Sequence, residues 1–167
     1  LGSTSVVPSP DAVSAATALI RPSAYNPYDL LVGNIPGTVG EVCKLAIIIG
    51  FLYMLFVGTI SWHIPVTFVG SVALLSWILG SDPWMAILSG GVLFGAVFMA
   101  TDYVTNPLLK VGHIIFGIGC GIIVVVIRKF GGYPEGVTFA ILLMNTVTPL
   151  IDRWTKRRVY GTVKKHG

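Results

Sequence analysis

Seven acidic residues stand in a chain otherwise short of charge: Asp11, Asp29, Glu41, Asp82, Asp102, Glu135 and Asp152. Asp102, Glu135 and Asp152 fall at the ends of long apolar runs. A carboxylate at membrane depth is costly, and it usually pairs with another group or lines a pathway. Two readings of these three acids stay open. They are helix-end groups in headgroup water, or they are acids at two ends of a cation route. Glu135 also suits the N-terminus of the run that follows it, where the helix dipole favours negative charge. Other signatures of chemistry are missing. There is no GxxxxGK[ST] loop, no GxGxxG after a strand and no HExxH. No nucleophile, base and acid form the pattern of a self-contained hydrolase, so no catalytic residue and no metal ligand is assigned.

Residues 11–17 read Asp-Ala-Val-Ser-Ala-Ala-Thr. Taken alone, this is a small-residue segment with an accessible hydroxyl at Thr17, and Ser14 or Thr17 can cap a helix. Gly91 and Gly95 are four apart, as are Gly117 and Gly121. That spacing clears one stripe of a helix and allows close approach of a neighbour. The alternative for Phe116–Cys120 and Gly121 is a broken helix or a closely approaching cofactor. His63 and His113 lie near run ends and read as packed or interfacial side chains. Cys43 and Cys120 sit in apolar runs without CxxC or metal spacing, and read as small apolar side chains.

The composition says what must position these groups. The 167 residues are 54% hydrophobic and 11% charged, with a net charge of +4, and mean hydropathy is +0.83. An ordinary soluble domain is about 25% charged, and a soluble fold of this size cannot hide so much apolar surface. A water-soluble enzyme and a disordered tail are excluded, and no nucleic-acid partner is expected. No positively charged segment precedes a short apolar stretch at the start, so no signal peptide is expected.

Residues 1–40 are rich in Ser, Pro, Gly, Ala and Asn, and read as a loop or tail outside the bilayer. Five apolar runs follow, at about 42–60, 65–80, 84–100, 111–127 and 136–151. In lipid the backbone must satisfy its own hydrogen bonds, and the runs lack strict alternation, so helices are predicted. The second and fifth runs are short for a span of about 17–25 residues and are expected to borrow flanking residues. Trp62, Trp77, Trp84 and Trp154 fall near run ends, as an interfacial belt. In five-helix form the chain divides into an outer segment 1–40, a membrane domain 41–152 and a basic tail 153–167. The tail holds six basic residues, so it is placed inside the cell and residues 1–40 outside. Seven of the 11 Lys and Arg then lie inside; Arg21, Lys44, Arg128 and Lys129 lie outside. Arg128 and Lys129 run against the trend.

Residues 11–17 resemble the flavinylation sequence Asp-x-x-Ser/Thr-Gly-Ala-Thr, with Ala15 where that sequence has Gly. GAVFMATDYVTNP at 95–107, FGIGCGIIVVVIRKFGGYPEG at 116–136 and FAILLMNTVTPLIDR at 139–153 are similar to the D-type membrane subunit of the Rnf complex. That complex is an ion-pumping ferredoxin:NAD oxidoreductase. The homologous B-type subunit of the sodium-translocating NADH:quinone reductase is similar too, and the likeness covers roughly 11–160. The resemblance implies an all-α polytopic membrane protein, the second half of an inverted-repeat fold of about ten helices. It implies FMN on Thr17 through a phosphoester, with Asp11 and Ser14 in the attachment motif and a separate flavin transferase. It implies partner subunits carrying Fe–S clusters and flavin, in a bacterial or archaeal cytoplasmic membrane, with the flavin loop outside. It places ion-path acids at Asp102, Glu135 and Asp152. A noncovalent riboflavin belongs to the quinone-reductase relative and is not placed here. Two rival expectations stand beside this one. The first is half of a channel or transporter without a redox role; the second is an anchor whose helices only hold partners.

Overall fold

The computed structural model describes residues 43–131 and 136–155, and every element among them is helical. Helix α1 is Lys44–Val57 and α2 is His63–Ile78. Both end in the same way. Gly58 adopts φ +75° and Gly80 adopts φ +72°. The Gly58 and Thr59 N–H groups donate to the carbonyls of Leu55 and Met54, and those of Gly80 and Ser81 donate to Trp77 and Ser76. This left-handed glycine cap satisfies the last carbonyls and turns the chain sharply. It fixes two helix ends that must lie near the membrane surface.

The third apolar run, expected as one helix over about 84–100, is broken. Helix α3, Pro83–Leu88, starts on Asp82 with Pro83 in its first turn. Gly90 and Gly91 then take φ +65° and +67°. The chain restarts as α4, Val92–Phe94, and continues as a π-helical turn over Gly95–Met99. Helix α5 is Lys110–Phe130 and α6 is Val137–Thr155. Both run past the apolar stretches read from sequence, so Arg128, Lys129, Asp152 and Arg153 are helical. Among the described residues one helix, α5, is long and apolar enough to cross a membrane by itself; α1 and α2 are apolar and shorter.

Helix α5 forms the axis, with α2 parallel on one side and α6 antiparallel on the other. Phe68, Val72, Phe116, Cys120 and Val124 are fully buried along this seam. The close approach depends on Gly117 and Gly121. A methyl group on Gly117 would collide with Thr67 Oγ1 and lie 3.0 Å from the Ile64 carbonyl; one on Gly121 would collide with Ser71. The Ser71 hydroxyl donates to Phe68 O at 2.8 Å and also faces the Gly117 carbonyl at 3.5 Å. Gly119, on the other side of α5, is filled by Met144 of α6. The glycines of Phe116–Gly121 therefore serve helix packing, and α5 is continuous through them. The break occurs in the other glycine-bearing run.

The break is held by Arg128. Its Nη1 donates to the Ala86 carbonyl at 2.7 Å, and Nη2 donates to those of Ser89 and Gly90 at 3.0 and 3.2 Å. These carbonyls lose helical partners where α3 ends, and a planar guanidinium can reach several at once.

Two outcomes test this architecture. Gly121→Val should lower unfolding stability by about 1–3 kcal/mol, the usual cost of forcing extra methyls into a packed seam. Reversible unfolding in mild detergent measures it. Arg128→Met should cost roughly 2–4 kcal/mol through stranded carbonyls and speed amide exchange in residues 86–91. Arg128→Lys should recover only part of that protection, because a point charge cannot fork.

Candidate functional site at the two ends of the bundle

One end of the bundle gathers the N-termini of α2 and α5, the C-termini of α1 and α6, and the connection 100–109. Asp102 and Asp152 both belong to it. Asp152, half-buried, accepts the Leu108 N–H at 2.9 Å. Asp102 is exposed and accepts weakly from Val104 N–H and the Thr105 hydroxyl, at 3.5 and 3.4 Å. Both carboxylates therefore organise the same connection. The Tyr103 hydroxyl donates to the Thr59 carbonyl and ties that connection to the α1–α2 turn.

Behind them lies a cavity of about 200 Å³ lined by Thr59, Thr101, Asn106 and His113, among others. The His63 and His113 rings are 6.3 Å apart, and Trp62 stacks on His63 at 4.2 Å. His63 Nδ1, His113 Nδ1 and Asn106 Oδ1 are buried without a hydrogen-bond partner among the described residues. The two histidines thus form a pair rather than separate interfacial groups. Their distance apart in the sequence hid this, because only the parallel packing of α2 and α5 brings both N-termini together.

The polar groups of α6 differ from expectation. Asn145, Thr146 and Thr148 suggest hydrogen bonds to a neighbouring helix. Instead the Thr146 and Thr148 hydroxyls donate to Leu142 and Met144 of their own helix, each at 3.1 Å. A hydroxyl four residues along a helix finds that carbonyl without any neighbour.

The opposite end joins the C-termini of α2 and α5 to the break after α3. It holds a larger cavity, about 400 Å³, walled by Leu79, Met85 and Val125 and edged by Ser81, Asp82, Arg128 and Lys129. Two of the four cations assigned to the outer side are drawn inward here. Lys44 is buried and Arg128 holds the broken run. Protein contacts, not the membrane surface alone, set their positions. The place of Arg128 against the charge trend was the one signal in the sequence that it had a structural task. Trp77 and Trp84 flank this end and Trp62 and Trp154 the other, all strongly exposed, as a two-sided interfacial belt requires. Cys120 is buried, Cys43 is half-exposed, and both are free thiols.

Asp11, Ser14, Thr17 and Glu135 lie outside the described residues. The motif at residues 11–17 and the third acid are therefore known by sequence alone.

The profile of the NQR2, RnfD, RnfE family matches residues 2–161. The chain is 45% identical to the D subunit of the Na(+)-translocating ferredoxin:NAD(+) oxidoreductase complex of Acetobacterium woodii, over 97% of the chain and 54% of that protein. It is 43% identical to the proton-translocating counterpart of Clostridium ljungdahlii, over 80% of the chain and 42% of that protein. It is 40% identical to the D subunit of the ion-translocating oxidoreductase complex of Halorhodospira halophila, over 90% of the chain and 44% of that protein. The chain spans about half the length of these curated relatives. A profile match over nearly the whole sequence, on a helical bundle with a membrane-length axis, establishes that the chain belongs to the NQR2, RnfD, RnfE family.

Proposed function

We propose that this chain is a flavin-carrying part of the D-type membrane subunit in an ion-translocating ferredoxin:NAD oxidoreductase complex. The observation that carries the reading is the 45% identity with the Acetobacterium woodii protein across 97% of the chain. The motif from Asp11 to Thr17 supports it. A flavin transferase joins FMN to the Thr17 hydroxyl as a phosphoester, with Asp11 and Ser14 as recognition residues. When bound, FMN supplies electron transfer in single or paired steps. Other subunits, carrying Fe–S clusters and flavin, deliver and remove the electrons. The five apolar runs anchor the subunit, with residues 1–40 outside the cytoplasmic membrane and the basic tail inside.

The chain's own residues have definable tasks. The α2–α5 seam and the Arg128 clamp keep the bundle rigid. Asp102, Glu135 and Asp152 supply negative charge near the two membrane faces, where a cation enters or leaves the protein. The A. woodii and C. ljungdahlii relatives are named for different ions, sodium and protons. Both ions are cations, and both suit carboxylates at the bundle ends.

Peptide mass spectrometry on protein purified from its own cell tests the flavin assignment. The peptide containing Thr17 should gain the mass of FMN less water, and Thr17→Ala should remove that gain and the in-gel flavin fluorescence while leaving the fold intact. An unmodified peptide from cells that flavinylate other proteins would overturn the assignment. Ala15→Gly should increase the modified fraction, because glycine widens the backbone shapes open to the motif.

The ion-path role has its own separation. Asp152→Asn keeps an oxygen that can accept the Leu108 N–H and loses only the charge. It should fold normally and cut ion flux in vesicles at least several-fold. Asp152→Ala should in addition loosen residues 104–109. Wild-type flux in the Asn variant would leave Asp152 a purely structural residue.

A further inference from the structure

We propose that the cavity between the ends of α2, α3 and α5 binds the phosphate of an anionic glycerophospholipid headgroup. Helix α5 has 21 residues, about 31 Å at 1.5 Å per residue, which matches a hydrocarbon core of about 30 Å. Arg128 and Lys129, in its last turn, therefore stand at headgroup level. The same three helix ends expose Trp77, Trp84 and Phe130, at 72%, 73% and 78% of their surface. Aromatic side chains with that exposure mark the membrane–water interface.

Size and chemistry agree with a headgroup. The cavity, about 400 Å³, falls within the range of roughly 300–1,000 Å³ typical of small-ligand sites. Its wall of Leu79, Met85 and Val125 suits the glycerol and upper acyl chain. Its edge carries Arg128, Lys129 and Asp82, a net of one positive charge. The Arg128 guanidinium donates to three carbonyls and keeps its charge beside the cavity. Lys129 is exposed, on a flexible stem, and is the headgroup contact. A Lys at headgroup level beside an apolar wall attracts an anionic lipid head by charge while the wall receives its glycerol. Asp82, exposed on the same edge, opposes an anion and sets a limit on affinity. The proposal does not depend on the flavin reading.

The intact subunit, reconstituted in vesicles, tests it. Brominated phosphatidylglycerol should quench tryptophan fluorescence more than brominated phosphatidylcholine at equal mole fraction. Lys129→Gln should reduce that preference about fivefold, the effect of one cation near the surface, and Lys129→Arg should retain it. Asp82→Asn should strengthen it. Equal quenching by the two lipids, or a preference untouched by Lys129→Gln, would overturn the proposal. Loss of the preference on adding excess inorganic phosphate would also overturn it, by pointing to a soluble phosphate. The Thr17→Ala protein supplies a further arm. Unchanged preference there is expected; a preference that appears only in that variant would assign the cavity to the flavin phosphoester and overturn the lipid.

Discussion

The bundle depends on one backbone-to-backbone contact, between Gly117 and Gly121 of α5 and the Thr67–Ser71 face of α2. Lipid tails are as apolar as leucine, so no hydrophobic force drives two membrane helices together. Close packing and hydrogen bonds must do it. The glycines remove two side chains, and the small hydroxyl residues opposite fill the gap. Thr67 turns its hydroxyl to the His63 and Ile64 carbonyls of its own helix, which satisfies the polar atom that faces the seam at that level. The parallel direction of α2 and α5 follows from this register. That direction brings the N-termini of the two helices, with His63 and His113, to one end.

A second constraint acts at the opposite end. A chain that leaves its helix inside packed protein strands carbonyls that have lost their helical partners. The run around Gly90 and Gly91 does leave its helix, and Arg128 supplies the missing donors. The arrangement uses a charge that would be costly in lipid to cover dipoles that would also be costly. Neither partner is well placed without the other. The glycine caps of α1 and α2 solve the same problem by local means, with N–H groups from the next two residues.

The two ends consequently differ in character. One is stitched by carboxylates and hydroxyls to the 100–109 connection, with a small cavity of mixed lining behind. The other is a clamp around a break, with a larger and partly apolar cavity.

Much of this was legible in the residues. Helicity followed from apolar runs without alternation, because backbone groups in lipid must pair within the segment. The tryptophan belt followed from position alone. The Asp11–Thr17 pattern and the family likeness are properties of linear order, so a sequence carries them complete. What linear order could not carry was the partner of each group. The run at 84–100 reads as one helix, since glycine alone does not end an apolar membrane helix. Only the reach of Arg128, far along the chain, selects the break. Asp102 accepts only from its own turn, whereas Asp152 accepts the Leu108 N–H of a connection that tertiary packing brings to it. The amino-acid sequence by itself determined that this chain is a helical membrane protein of its family. The tertiary structure alone decided which polar groups meet, because partners distant in sequence are chosen by how the helices pack.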